Sequence, residues 1–138
     1  MIHEKVIALV VTYNRKELLQ RCLDAILGQD YPVDRVLVID NASTDGTETL
    51  FVEGTKYSSR ILYKRMPSNL GGAGGFKKGL QLASKLECDW VWLMDDDCIA
   101  YPDTLSKLIA ASEKVAGRVS FLASSVFGPD NEPMNVPI

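Results

Sequence analysis

Apolar residues along this chain alternate between continuous runs and runs with helical spacing. Residues 5–12, KVIALVVT, are continuous and rich in β-branched side chains, the pattern of a strand buried on both faces of a parallel sheet. Leu18, Leu19, Cys22, Leu23 and Ile26 then recur at helical spacing, predicting a helix over about 15–27. Asn14, with Glu17 three residues on, reads as its reciprocal cap. A turn at Asp30-Tyr31-Pro32 leads to a second strand, Arg35–Ile39, which ends at Asp40-Asn41 and the turn-forming Ala42-Ser43-Thr44-Asp45-Gly46. A short helix over about 46–53 and a weaker third strand, Ile61–Lys64, follow. After Asn69 and a glycine-rich segment, Phe76, Leu80, Ala83 and Leu86 stripe a second long helix. Trp90–Met94 forms a fourth strand, running into Asp95-Asp96-Asp97; Pro102 suits the first turn of a helix with Leu105, Leu108 and Ile109 on its buried face. Val119–Val126 is expected as a fifth strand, and 128–133 as a loop.

Repeated strand–helix alternation implies an α/β fold: a Rossmann-like, mostly parallel sheet with helices on both faces, joined by right-handed crossovers. Ligands in such sheets bind beyond the carboxyl ends of the strands. The polar clusters fall there: Thr12-Tyr13-Asn14, Asp40-Asn41, Asn69 with its glycines, and the aspartate triplet. A strand order of 3-2-1-4 would set the triplet beside Thr12.

Composition narrows the function. The chain has 138 residues, 46% of them hydrophobic, enough for one domain with a sizeable core and too few for two. Fifteen basic against 18 acidic residues, with no polybasic run, argue against nucleic acid or an anionic membrane as partner. No apolar run reaches the ~18 residues of a membrane span, and the start lacks a secretory pattern, so the chain reads as cytoplasmic. Three cysteines without CxxC spacing suggest reduced, inert thiols; one histidine, His3, at the start of the chain removes most metal and nucleophile–histidine arrangements.

Three adjacent carboxylates repel one another, so something should offset them. Because alternate strand residues share a face, Asp95 and Asp97 can converge on one cation while Asp96 faces elsewhere, and hard oxygen ligands suit Mg2+ or Mn2+. The alternative is a solvated turn that caps the next helix. The glycines of 69–75 suit positive φ or close approach to a ligand: a diphosphate would meet free N–H groups at the helix start, with Lys77 and Lys78 one turn on. The alternative is a flexible hinge. The segment fits neither GxxxxGK[ST] nor GxGxxG, which disfavours kinase-like NTPases and dinucleotide dehydrogenases. Asp40 can accept a hydrogen bond from a base or ribose, or it can anchor the turn that follows it. Trp90 and Trp92 read as core.

The runs VVTYNR (10–15), VIDNASTDGT (38–47), NLGGAGGFKKG (69–79) and WLMDDD (92–97), taken in order, resemble the donor-site motifs of family 2 glycosyltransferases, inverting enzymes with an A-type nucleotide-binding fold (GT-A). NLGGAGGF is similar in particular to the galactofuranosyl and rhamnosyl transferase branch. The resemblance implies a donor site for a UDP- or dTDP-linked sugar drawn from Thr12, Tyr13, Asn14, Arg15, Asp40, Asn69, Gly71, Gly72, Lys77, Asp95 and Asp96. Thr12 and Tyr13 would line the base pocket, Asp40 would contact the base, and Asn69 with the glycines would lie along the ribose and diphosphate. Asp95–Asp97 would be the DxD motif, with Asp95 and Asp97 on the metal. A saccharide or lipid-linked acceptor and cell-surface polysaccharide synthesis are implied too, which could bring the enzyme to the inner face of the membrane.

The family's general base lies well downstream of DxD. Here only Asp103, Glu113, Asp130 and Glu132 follow the triplet, so the base is expected beyond residue 138, and this chain reads as the N-terminal, donor-binding half of a longer catalytic domain, inactive alone. An apolar patch beside the fourth strand would then favour self-association. Two other readings fit the same residues: a non-catalytic nucleotide-sugar-binding module, and a metal-dependent nucleotidyltransferase, which would want a glycine-rich phosphate loop directly after the first strand.

Overall fold

The computed structural model describes residues 3–117 and 119–134. Four strands, β1 (Val6–Thr12), β2 (Arg35–Asp40), β3 (Ile61–Arg65) and β4 (Trp90–Asp95), form one parallel sheet in the order β3-β2-β1-β4. Helices α1 (Lys16–Leu27), α2 (Gly71–Ala83) and α3 (Thr104–Lys114) connect or follow them, and the short helix between β2 and β3 is a 3-10 turn at Thr47–Phe51. All seven residues of β1 are buried, as its unbroken apolar run requires of a central strand covered on both faces.

The pleat divides the core in two. Val6, Ala8 and Val10 of β1, with Val36 and Val38 of β2, pack against Leu19, Cys22, Leu23 and Ile26 of α1 and Leu105 and Ile109 of α3. Ile7, Leu9 and Val11, with Leu37 and Ile39, face α2. The sides follow from right-handed crossover: the β1-to-β2 connection runs toward β3 and the β3-to-β4 connection runs back, so their helices take opposite faces. Trp90 and Trp92 pack half-buried against the first cluster, as expected of core rather than a ligand platform.

Two local expectations are corrected, and one alternative is removed. The fifth strand is absent: described residues 119–126 form no ladder, and the nearest pairing is a single bridge between Phe127 and Pro133. An apolar run makes a strand only where successive backbone groups pair with a neighbouring strand in a ladder; this stretch borders a groove of about 620 Å³ along β4 and α3, and its Val126 carbonyl accepts the Met134 N–H at 2.7 Å. The Asn14–Glu17 cap does not form; Arg15 holds the N-cap position without a side-chain bond. The glycine segment is no hinge, because α2 begins at Gly71 and the later glycines lie inside it. β4 is an edge strand whose Leu93 is 46% exposed; with Ile99, Tyr101 and Phe121 it leaves apolar surface on this side.

Candidate functional site

The carboxyl ends of β1, β2 and β4 and the start of α2 form one rim, tied together by side chains. From β1, the buried Thr12 hydroxyl donates to Asp96 Oδ2 at 2.8 Å, across 84 residues of sequence. Arg15 Nη1 lies 3.2 Å from Asp96 Oδ1 and 3.4 Å from Asp97 Oδ2. The triplet's repulsion is thus relieved within the chain: Asp96 turns inward to Thr12 and Arg15, while Asp95 and Asp97 are exposed. Burial pushes the Asp96 pKa up, and the Thr12 hydroxyl and Arg15 oppose that shift. Cys98 beside the triplet has its thiol pKa raised by burial, and burial with the nearby Cys98 pushes Cys22 up to about 12, so both stay protonated. No disulfide joins the three cysteines.

The loops after β1 and β2 are laced together. Asn14, at φ +49°, donates its backbone N–H to Ser43 Oγ and accepts from the Thr44 N–H at 2.7 Å. Asn14 therefore serves the β2 loop rather than the helix, and the start of α1 is capped from that loop, the Lys16 N–H donating to Asp45 Oδ2 at 3.0 Å. Tyr13 is 44% exposed on the rim. Asp40 is fully buried: Oδ1 accepts the Ser43 N–H at 2.9 Å and Oδ2 accepts the Tyr63 hydroxyl. Both oxygens are engaged within the chain, which is the geometry of a turn anchor. Burial and the Asp40 carboxylate push the Tyr63 hydroxyl pKa well above its usual value, and Tyr63 stacks on Phe51 at 4.4 Å. Arg65 closes the same loop by donating to the Ser43 carbonyl.

At α2, Gly71 takes φ +73°, the left-handed turn into the helix, and its N–H donates to Asn69 Oδ1 at 2.8 Å. Gly72 faces open space, and Lys77 is exposed one turn on. The close approach expected of the glycines is to the sheet: a Cβ on Gly75 would come 2.5 Å from Val11 Cγ1, and one on Gly79 would come 2.4 Å from Leu9 Cδ1. Sequence reasoning found the rim's positions and missed its lacing: Ser43, Asp45, Tyr63, Arg65 and the side chain of Asn41 carry it. Only the density of Asn, Ser, Thr and Asp in residues 40–47 signalled a built loop.

A parallel sheet with its polar residues gathered at the carboxyl ends on either side of β1, and a glycine-led helix at the same rim, defines an α/β domain whose fold is of the GT-A type. The chain belongs to glycosyl transferase family 2, whose profile matches residues 7–132. Over 98 residues it is 45% identical to the galactofuranosyltransferase GlfT1 of Mycolicibacterium smegmatis, a match covering 70% of this chain and 32% of that protein. Over 102 residues it is 36% identical to the abequosyltransferase RfbV of Salmonella typhimurium, covering 72% of this chain and 30% of that one. The chain thus spans about a third of the length of these curated relatives. Among solved structures, S. aureus TarS 1-349 in complex with UDP-GlcNAc matches with TM-score 0.67 and 27% identity over 80% of this chain and 31% of that one. The mannosyltransferase PcManGT from Pyrobaculum calidifontis, in complex with GDP-Man and Mn2+, matches with TM-score 0.64 and 28% identity over 79% and 32%. Among the described residues no helix is long and apolar enough to cross a membrane.

Proposed function

We propose that this domain binds the nucleotide diphosphate of a UDP- or dTDP-linked sugar for inverting transfer to a hydroxyl of a saccharide or lipid-linked acceptor, in the synthesis of a cell-surface polymer. The observation that carries this reading is the single laced rim, where the Thr12–Arg15 segment, the start of α2 and the Asp triplet meet. Tyr13 offers an exposed ring for the base. Asn69 lies along the ribose, and Gly71 and Gly72 lie along the diphosphate, with the helix N-terminus and Lys77 favouring negative charge. Asp40 serves from beneath, holding the β2 loop in shape. Apolar surface beside β4 is where self-association or the acceptor side would form.

The donor set fits a hard divalent cation. Asp95 and Asp97 are exposed carboxylates two residues apart, and the neighbouring thiol is held protonated. Among the described residues no group of three or more His, Cys, Asp or Glu side chains is arranged around a metal, so the remaining ligands would be phosphate oxygens and water. Mg2+ or Mn2+ bound there would neutralise the departing diphosphate. Arg15 fixes Asp97 in orientation, Asp96 holds the end of β4 against β1, and Thr12 locks Asp96. None of the late acids is assigned the role of general base; Asp103 is paired with Lys107 at 2.8 Å and Asp130 accepts the Glu132 N–H of its own turn.

Calorimetry of the 138-residue chain with UDP, dTDP and GDP, with Mn2+ and with EDTA, tests the reading. A pyrimidine nucleoside diphosphate should bind more tightly with Mn2+, and Asp97→Asn should abolish most of that difference. Equal affinity with Mn2+ and EDTA in both proteins would refute the metal assignment, and no binding of any of the three would refute the donor site.

A further inference from the structure

The residue that joins the ends of the strands to the start of α2 is Asn41, the first residue after β2. It is 3% exposed. Its backbone N–H donates to the Thr12 carbonyl at 3.0 Å, fixing it to β1. Its side-chain Nδ2 donates to the Gly71 carbonyl at 3.0 Å, and its Oδ1 accepts the Leu70 N–H at 3.4 Å. One buried amide thus holds both the N-cap residue and the first residue of α2. Leu70, at the N-cap, has no side chain able to satisfy the helix's free N–H groups; Asn41 Oδ1 takes the Leu70 N–H from the loop after β2, and Asn69 Oδ1 takes the Gly71 N–H.

We infer that Asn41 is a positioning residue for the diphosphate subsite, fixing the first turn of α2 in register with Thr12 and, through Thr12, with Asp96. The inference rests on the proposed reading of the rim as a nucleotide site. Three details set the register. The left-handed Gly71 lets the chain turn sharply enough for its carbonyl to face Asn41. Asn69 holds the Gly71 N–H from the other side. The second turn also rests on Asn41, since a Cβ on Gly75 would lie 3.2 Å from Nδ2. Only a side chain with an acceptor and a donor on one short stem makes both bonds: aspartate would set an oxygen against the Gly71 carbonyl, and serine would not span both. A residue in this role affects ligands that carry the diphosphate to the start of α2 and spares those that stop short of it.

Two ligands separate positioning from general stability: UDP, and uridine, which lacks the phosphates, each titrated by ligand-observed NMR into wild type, Asn41→Ala and Gly71→Ala. Gly71→Ala strains the same junction by its φ alone, because its Cβ meets nothing within 4 Å. Both variants should lose about tenfold in UDP affinity and stay within about twofold of wild type for uridine, the scale of one lost hydrogen bond at a recognition site. Should Asn41→Ala fail to fold, Gly71→Ala decides by the same comparison. UDP affinity unchanged in the variants, or UDP and uridine falling together, overturns the positioning role while leaving the nucleotide site standing. Wild type binding none of UDP, dTDP and GDP overturns the site and this inference with it.

Discussion

Replacing Gly79 with alanine should destabilise this domain, although the same change in an exposed helix would stabilise it by about 0.5–1 kcal/mol. The added Cβ would lie 2.4 Å from Leu9 Cδ1, 2.7 Å from Cδ2 and 3.1 Å from Cγ. Leu9 is completely buried in the middle of β1, between partners on both β2 and β4. Ordinary contact begins near 3.4 Å, so either α2 lifts by about 1 Å or Leu9 leaves its rotamer. Overpacking of this kind costs about 1–3 kcal/mol, whose midpoint exceeds the helix-propensity gain and leaves a net loss of about 1 kcal/mol, rising to about 2.5 kcal/mol if neither side yields. Chemical denaturation of Gly79→Ala beside Gly72→Ala measures it, because Gly72 faces open space and should give no loss. Adding Leu9→Val to Gly79→Ala should recover part of the loss, with a coupling of about 0.5 kcal/mol or more. A Gly79→Ala domain as stable as wild type, or two changes that simply add, would refute the close-packing argument.

Tyr63→Phe should cost about 1–3 kcal/mol in denaturant unfolding, because it leaves a buried Asp40 oxygen without its donor; an unchanged midpoint would show that Asp40 does not depend on Tyr63. Asp24 titrates below its ordinary 3.8: partial desolvation opposes this, but hydrogen bonds from Lys56 and the Tyr57 hydroxyl outweigh it. A depressed folded-state pKa means stability that is present at neutral pH and lost as pH falls through the carboxylate range, so Asp24→Asn should be less stable than wild type at about pH 7 and approach it near about pH 3, with a constant gap as the contrary result.

β1 and β2 were legible because a strand covered on both faces leaves an unbroken apolar run; β4 shows such a run too, although it lies at the edge with Leu93 exposed, and the order 3-2-1-4 was one arrangement that would gather the polar residues and not one that the pattern dictated. Val119–Val126 misled for a physical reason: Phe121, Leu122 and Val126 have strand chemistry, but a strand is defined by its ladder partner, which no pattern within the segment reveals. The glycines misled in a similar way. Close approach was expected of residues 69–75 and toward a ligand; what approaches Gly75, and Gly79 beyond that segment, is Val11 and Leu9, more than sixty residues earlier in the chain. Asp40 looked the same in sequence whether it met a base or Ser43 and Tyr63. The triplet's arrangement was half legible: Asp96 does turn away from its neighbours, but it does so in the turn after β4 ends at Asp95 and not by strand alternation, and its meeting with Thr12 and Arg15 required the sheet order.

The central place of β1 also biases the order in which the rim is assembled. Val10 meets Val38 of β2 across 28 residues of chain and Met94 of β4 across 84. Closing the longer loop costs about 1 kcal/mol more in chain entropy, on top of ordering everything between, so the β1–α1–β2 unit can nucleate while β4 is still unplaced. The laced loops of Asn14, Ser43 and Asp45 belong to that early unit. The aspartates arrive with the last strand, on an edge. A chain stalled before β4 docks would carry a formed β1–β2 rim and no carboxylate triplet, which makes Thr12 and Arg15 the residues waiting at the point where folding ends.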